Sequence, residues 1–226
     1  MPLLGKAAML LTFDVEQVAI PEHDDWHTHE HLPERLSIPG FRRGTRWVAV
    51  RGAPRYVVVY EVDRLETLES RSYLERLNNP TPWTSKMMTY YRAMSRGLCS
   101  VEKSCGLGMG HFALLIRFKP TLDSSASVVA WLGEEVMPRL SARPGLGSIH
   151  LLLNALAPAM TSEQRIRGMD SGVDCALLAN GYHLDALADL ERTEFSAGEL
   201  ETHGASSVVS ALYHGAYSLS AEEVDA

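Results

Sequence analysis

The chain has 226 residues, 46% of them hydrophobic and 22% charged, proportions of a soluble globular protein able to bury one large or two small cores. Its 21 basic and 28 acidic residues leave a net charge of −7, which argues against nucleic acid or an anionic membrane as the main partner. Cys99, Cys105 and Cys175 follow no framework spacing and fit a reducing cytoplasm, and no apolar run approaches the roughly 20 residues that span a bilayer.

The opening run MPLLGKAAMLLTF lacks signal-peptide architecture, and residues 8–15 (AMLLTFDV) read as a strand covered on both faces. A helix is predicted from about Pro21, a residue favoured in a first turn, to a stop at Pro39-Gly40. Pro33 inside it is expected to kink the helix or tighten its last turns. Residues 45–51 and 56–62 form a hairpin around Gly52-Ala53-Pro54, and 65–77 are helical in spacing. NNPTPWTSKMM is expected to break that helix before a strand at 94–103. The order is β-α-β-β-α-β, the ferredoxin-like arrangement.

Sliding the chain by 105 positions repeats the pattern. Trp26 falls on Trp131, Glu30 on Glu135, Pro33 on Pro138 and Pro39-Gly40 on Pro144-Gly145. The second half reads as strand 113–119, helix 127–143, strands 148–154 and 175–179, helix 184–193 and strand 208–219. Residues 157–172 form a polar loop with no counterpart in the first half. The glycine-rich CGLGMG marks a boundary, giving units 1–106 and 107–226, and the acidic tail after Ser220 is expected to fray. The expected fold is α+β, two tandem ferredoxin-like units forming an intrachain pseudo-dimeric α/β barrel.

The register of the two copies singles out a site. His23, His27 and His31 recur every fourth residue on one helix face. At the positions of His23, Asp24, His27, His31 and Arg35 the second copy has Val128, Val129, Leu132, Val136 and Leu140, a stripe that a helix buries. Polar groups aimed where a copy aims hydrocarbon predict a substrate-sized polar pocket in the first unit and a filled, apolar equivalent in the second.

His31 is the leading candidate for general acid or base, with His27 one turn away. Asp24 and Arg35 could orient a histidine or grip an anionic substrate; for Arg35 a surface salt bridge is an equal alternative. His23, Trp47, Tyr60, Trp83 and Tyr90 are candidates for lining the pocket, Trp83 as a rigid wall beside Pro80 and Pro82. Trp26 and Glu30 recur in both copies and are assigned to the fold. Histidines at i, i+4 and i+8 are compatible with a metal, but HExxH is absent and no motif demands haem. No metal or cofactor is assigned.

The run WHTHEHLPERLSIPGF, the hairpin ending in YVVVYEV and the segment YLERLNNPTPWT resemble the dimeric α/β-barrel superfamily, in its EthD-like branch. The resemblance covers nearly the whole chain. It implies paired ferredoxin-like units, with a ligand between the helices and sheet of one unit, on the wall carrying Glu30-His31-Leu32-Pro33. It also implies a range of chemistries that includes cofactor-free monooxygenases, cyclases, isomerases and haem enzymes. The expected activity is histidine acid–base chemistry on a small aromatic or polyketide-like molecule: isomerase, lyase, dehydratase or cyclase. A cofactor-free or metal-assisted monooxygenase and a non-catalytic binding protein are the alternatives. A small molecule is the expected partner of a cytoplasmic monomeric pseudo-dimer or homodimer.

Overall fold

A computed structural model describes residues 3–121, 125–157 and 160–224. The first unit runs β1 (Ala7–Val15), helix α1 (20–36), β2 (Phe41–Arg51), β3 (Tyr56–Val62), helices α2 (Arg71–Asn78) and α3 (Pro82–Met88), and β4 (Tyr91–Gly106). The second runs β5 (Phe112–Pro120), helix α4 (125–140) and β6 (Leu146–Leu156). It then crosses through α5 (Ser162–Arg167) and the two-residue β7 (Ser171–Gly172) to β8 (Cys175–Gly181), α6 (Leu184–Arg192), α7 (Ala197–Thr202) and β9 (Ala205–Ser220).

Both sheets have the order fourth, first, third, second: β4-β1-β3-β2 and β9-β5-β8-β6, all antiparallel. They close on each other through β2 with β9 and β4 with β6, giving an eight-stranded barrel with two such seams. The expected pseudo-dimeric α/β barrel is thus the observed fold.

Alternation along each strand sorts the cores. Met9, Leu11 and Phe13 of β1 face the helices, whereas Ala8 and Leu10 face the barrel interior with Trp47, Val57 and Leu115. A third cluster lies between the second sheet and its helices. Gly40 and Gly145 end α1 and α4 at φ 93° and 91°, a conformation glycine adopts without Cβ strain.

Three expectations need correction. The break at NNPTPWTSKMM is a second helix, α3, capped by Thr81, whose hydroxyl accepts the Thr84 N–H, with Pro82 in its first turn. The polar loop at 157–172 contains α5 and β7 and packs against the first unit, Ser171 and Gly172 pairing with Ser95 and Arg96; residues 158–159 lie outside those described. The tail from Ala221 to Val224 is a short helix, α8, packed on α1, β2 and β9; residues 225–226 lie outside those described. Among the described residues no helix is long and apolar enough to cross a membrane.

Candidate functional site

Proline shapes the helix that carries the site. Pro33 has no N–H, and its ring crowds the carbonyl four residues back. The chain answers by widening: Ile20–Trp26 is α-helical, His27–His31 makes a π turn in which the Leu32 N–H bonds the His27 carbonyl, and Leu32–Leu36 is α-helical again. The expected tightening is therefore a local unwinding. Pro138 does the same in α4, where the Met137 N–H bonds the Leu132 carbonyl.

His23, His27, His31 and Arg35 are all buried under α1, as Val128, Leu132, Val136 and Leu140 are under α4. His27 and His31 face a cavity between α1 and the sheet, with Met9, Leu11 and Phe13 of β1, Tyr60 of β3, Tyr73 of α2, and Tyr91, Met94 and Arg96 of β4. Its volume is about 30 Å³, room for one or two waters. The first unit therefore holds a water-sized cavity in place of the expected substrate-sized pocket.

The polar groups on this cavity are left short of partners. Nδ1 of His27, Nδ1 of His31 and the Tyr60 hydroxyl are buried and make no hydrogen bond. Burial, reinforced by neighbouring positive charge, holds both imidazoles well below the usual histidine value, so both are neutral near pH 7. Burial raises the Tyr60 and Tyr91 phenols, which stay protonated. The His31 ring lies against Trp26 with centroids 4.4 Å apart.

The crossover segment completes the wall. Glu163 of α5 accepts from Nη2 of Arg35, a contact between residues 128 apart in the chain. Arg167, one turn on, is gripped by Asp170 through Nε at 3.0 Å and Nη2 at 2.7 Å. Asp170 also lies 3.2 Å from Nε of Arg96, and Gln164 accepts from Nη2 of Arg96 at 3.3 Å. Thr161 caps α5, its hydroxyl accepting the Gln164 N–H.

Of the residues picked from the sequence, the structure brings His27, His31, Arg35 and Tyr60 together. His23 sits behind them, bridging Asp24 (3.2 Å) and the Tyr91 hydroxyl (3.1 Å). Asp24 faces outward, partly exposed, accepting from the Tyr56 hydroxyl at 2.9 Å with Arg46 3.8 Å away, and does not reach His27 or His31. Trp47 lies inside the barrel, on the opposite face of the sheet. Trp83 packs at the edge of the helix-side core and donates to Glu22 at 3.2 Å, and Tyr90 is partly buried there; neither lines the cavity. Tyr73, Tyr91, Arg96, Glu163 and Arg167 do line it and were not singled out by sequence. The one signal for the last two was that 157–172 had no counterpart in the first half. Glu30 ties α1 to α3, accepting from Trp26 Nε1 (3.1 Å) and the Thr81 and Thr84 hydroxyls (2.5 and 3.3 Å).

Under α4 the equivalent space is filled by hydrocarbon. A groove of about 390 Å³ does lie beside Val136, larger than the cavity beside His31. It is lined by Trp131, Glu135, Arg139, Glu194 and Glu199 as well, and its size and polar walls run against the expected asymmetry of a polar pocket in the first unit alone. Among the described residues no three His, Cys, Asp or Glu side chains are grouped as a metal would require. The His23, His27 and His31 rings follow one another along the helix at 5.6 Å. A cavity of this volume, walled by an ion-pair network, does not fit a haem.

No family model matches the sequence, and no curated protein sequence is similar enough to match. Solved structures do match in fold. A crystal structure of an anthrone oxidase-like protein has a TM-score of 0.72 at 13% identity, covering 99% of this chain and 97% of that one. A candidate monooxygenase from Fusobacterium nucleatum has a TM-score of 0.60 at 7% identity, with 96% of each chain covered. A mutant chlorite dismutase from Candidatus Nitrospira defluvii, in complex with cyanide, has a TM-score of 0.52 at 12% identity, covering 96% of this chain and 92% of that one. At such identities the shared property is the ferredoxin-like dimeric α/β-barrel fold.

Proposed function

We propose that the chain is an enzyme that removes a proton from a small aromatic or polyketide-like molecule, with His31 as the base, His27 beside it, and no redox cofactor. The observation that carries this reading is the pair of buried, neutral imidazoles with unpaired Nδ1 atoms, set where the second copy has Leu132 and Val136. A neutral imidazole is ready to accept a proton, and the unpaired Tyr60 hydroxyl can donate to the oxygen on which charge then develops. The imidazolium and the oxyanion formed together leave the cavity with no added net charge. Isomerisation, elimination and cyclisation all proceed from that anion.

Oxygen chemistry is the second reading, favoured by the fold's likeness to an anthrone oxidase-like protein. There the anion would meet dioxygen, anthrone plus dioxygen giving anthraquinone plus water. The EthD-like assignment is kept as part of this proposal and rests on the motif run through His27 and His31.

Both readings share the first step, which anthrone tests in heavy water without air. The protein should accelerate deuterium uptake at the anthrone methylene, followed by NMR, and admitting air distinguishes the second reading by quinone formation. His31→Val places the second copy's residue in the same setting. It should keep or raise the melting temperature while slowing exchange by on the order of 10²–10⁴. A folded His31→Val protein exchanging at the wild-type rate, or a wild type no faster than buffer, would overturn the assignment.

A further inference from the structure

The cavity holds more charge than a proton transfer needs. Among the described residues three buried guanidinium groups, Arg35, Arg96 and Arg167, stand at its wall against two buried carboxylates, Glu163 and Asp170. Glu34, itself mostly buried, is shared between Nη1 of Arg35 at 3.5 Å and Nη1 of the half-exposed Arg76 at 3.6 Å. Counted with that pair, four guanidinium groups meet three carboxylates, leaving one positive charge in excess. His27, His31, Tyr60 and Tyr91 are neutral and cannot balance it.

The surplus also has a place. Nη2 of Arg35 is taken by Glu163, whereas its buried Nη1 makes no hydrogen bond and has the Glu34 carboxylate standing off at 3.5 Å. Nε and Nη2 of Arg167 are held by Asp170, while its Nη1 has only the Met88 sulfur and a Glu163 oxygen, each at 3.9 Å. Two guanidinium nitrogens on one cavity, each short of an acceptor, suit an oxygen anion. The apolar lining includes Met9, Leu11, Phe13, Leu77, Met88 and Met94, which suits a hydrocarbon body. A second cavity of about 80 Å³ lies on the other side of Tyr73, Leu77 and Arg96, bounded by Leu68, Leu74 and Ala157.

We propose that the substrate binds as a monoanion, a hydrophobic organic acid whose carboxylate or phenolate is received by Nη1 of Arg35 and Nη1 of Arg167. This deepens the proposed function and rests on it for the cavity: it names the substrate class.

The test is calorimetric titration of the full chain with 2-naphthoate and with 2-naphthamide, equal in shape and different in charge. Naphthoate should bind roughly tenfold tighter or more. Glu163→Gln removes a competing carboxylate and should tighten naphthoate several-fold while leaving naphthamide unchanged. Asp170→Asn should act with the same sign, and melting curves establish that each variant is folded. A merely structural network predicts the opposite, since loosening it would weaken any ligand. Equal affinity for the two probes, binding of neither, or weaker naphthoate binding by both folded variants would overturn the proposal. If neither variant folds, the wild-type comparison decides. Naphthoate preference without deuterium exchange on anthrone would sink the proton-transfer reading and keep the anion site; exchange without the preference would sink the anion site alone.

Discussion

Burial keeps His27 and His31 uncharged, and the same burial makes them a liability in acid. His23 is also lowered, and His150, sealed inside the barrel between Ser104 and Ser148, is pushed down to about 4. In the unfolded chain each imidazole takes up a proton near pH 6.5, whereas in the folded chain it does so only at lower pH. Below about pH 6.5 the unfolded state therefore binds more protons, and stability falls as pH falls. Each such group contributes a slope of about 1.4 kcal/mol per pH unit. Urea denaturation between pH 7 and pH 5 should show stability dropping across that window, and His31→Val should be flatter by about one proton's worth. An unchanged slope in His31→Val would mean that His31 is already protonated in the native protein.

At the scale of elements, the Arg35–Glu163 pair joins α1 of one unit to α5 of the other. Breaking a buried pair from one side strands a charge and costs about 3–5 kcal/mol, whereas replacing both partners by hydrocarbon is often neutral or better. Glu163→Leu alone should therefore be severely destabilising, and Arg35→Leu with Glu163→Leu should recover most of the loss, since Leu140 already fills the matching position under α4. Destabilisations that simply add in a double-mutant cycle would show that the two side chains are not coupled. The elements also show what a sequence discloses. The α1 face was legible because a helix of the same build lies in the second half, so each polar residue could be compared with a hydrocarbon at the matching position. The helix Pro82–Met88 was missed because its prolines were read as a break, although Thr81-Pro82 is a capping signal. Glu163 and Arg167 were illegible for a stronger reason: Glu163 meets Arg35 128 positions away, and Arg167, although held locally by Asp170, reaches the cavity only through how the crossover docks, which no local pattern encodes. Trp47 was misplaced by one face of a strand, because both faces of this barrel are apolar and alternation gives no cue.

For the whole molecule, the two seams decide what each half can do alone. We place the junction between units at residues 106 and 107. Separated there, β2 and β4 of the first half and β6 and β9 of the second would present long unpaired edges, together with the inner apolar faces now packed around Trp47 and Leu115. Expressed separately, the fragments 1–106 and 107–226 should self-associate or aggregate, and co-expression should restore a soluble complex. Gel filtration checks this, and two well-folded monomeric halves would contradict it.

The crossover segment has a consequence for number. A pair of first halves alone would make two histidine walls and have no segment to cover either. A pair of second halves would supply two covers and nothing to place beneath them. Only the unlike pair assembles one complete chamber, so the symmetry of the barrel stops short of its contents. A titration should saturate at a single ligand for each chain rather than two, and each chain should act as an independent unit with no cooperativity between its halves.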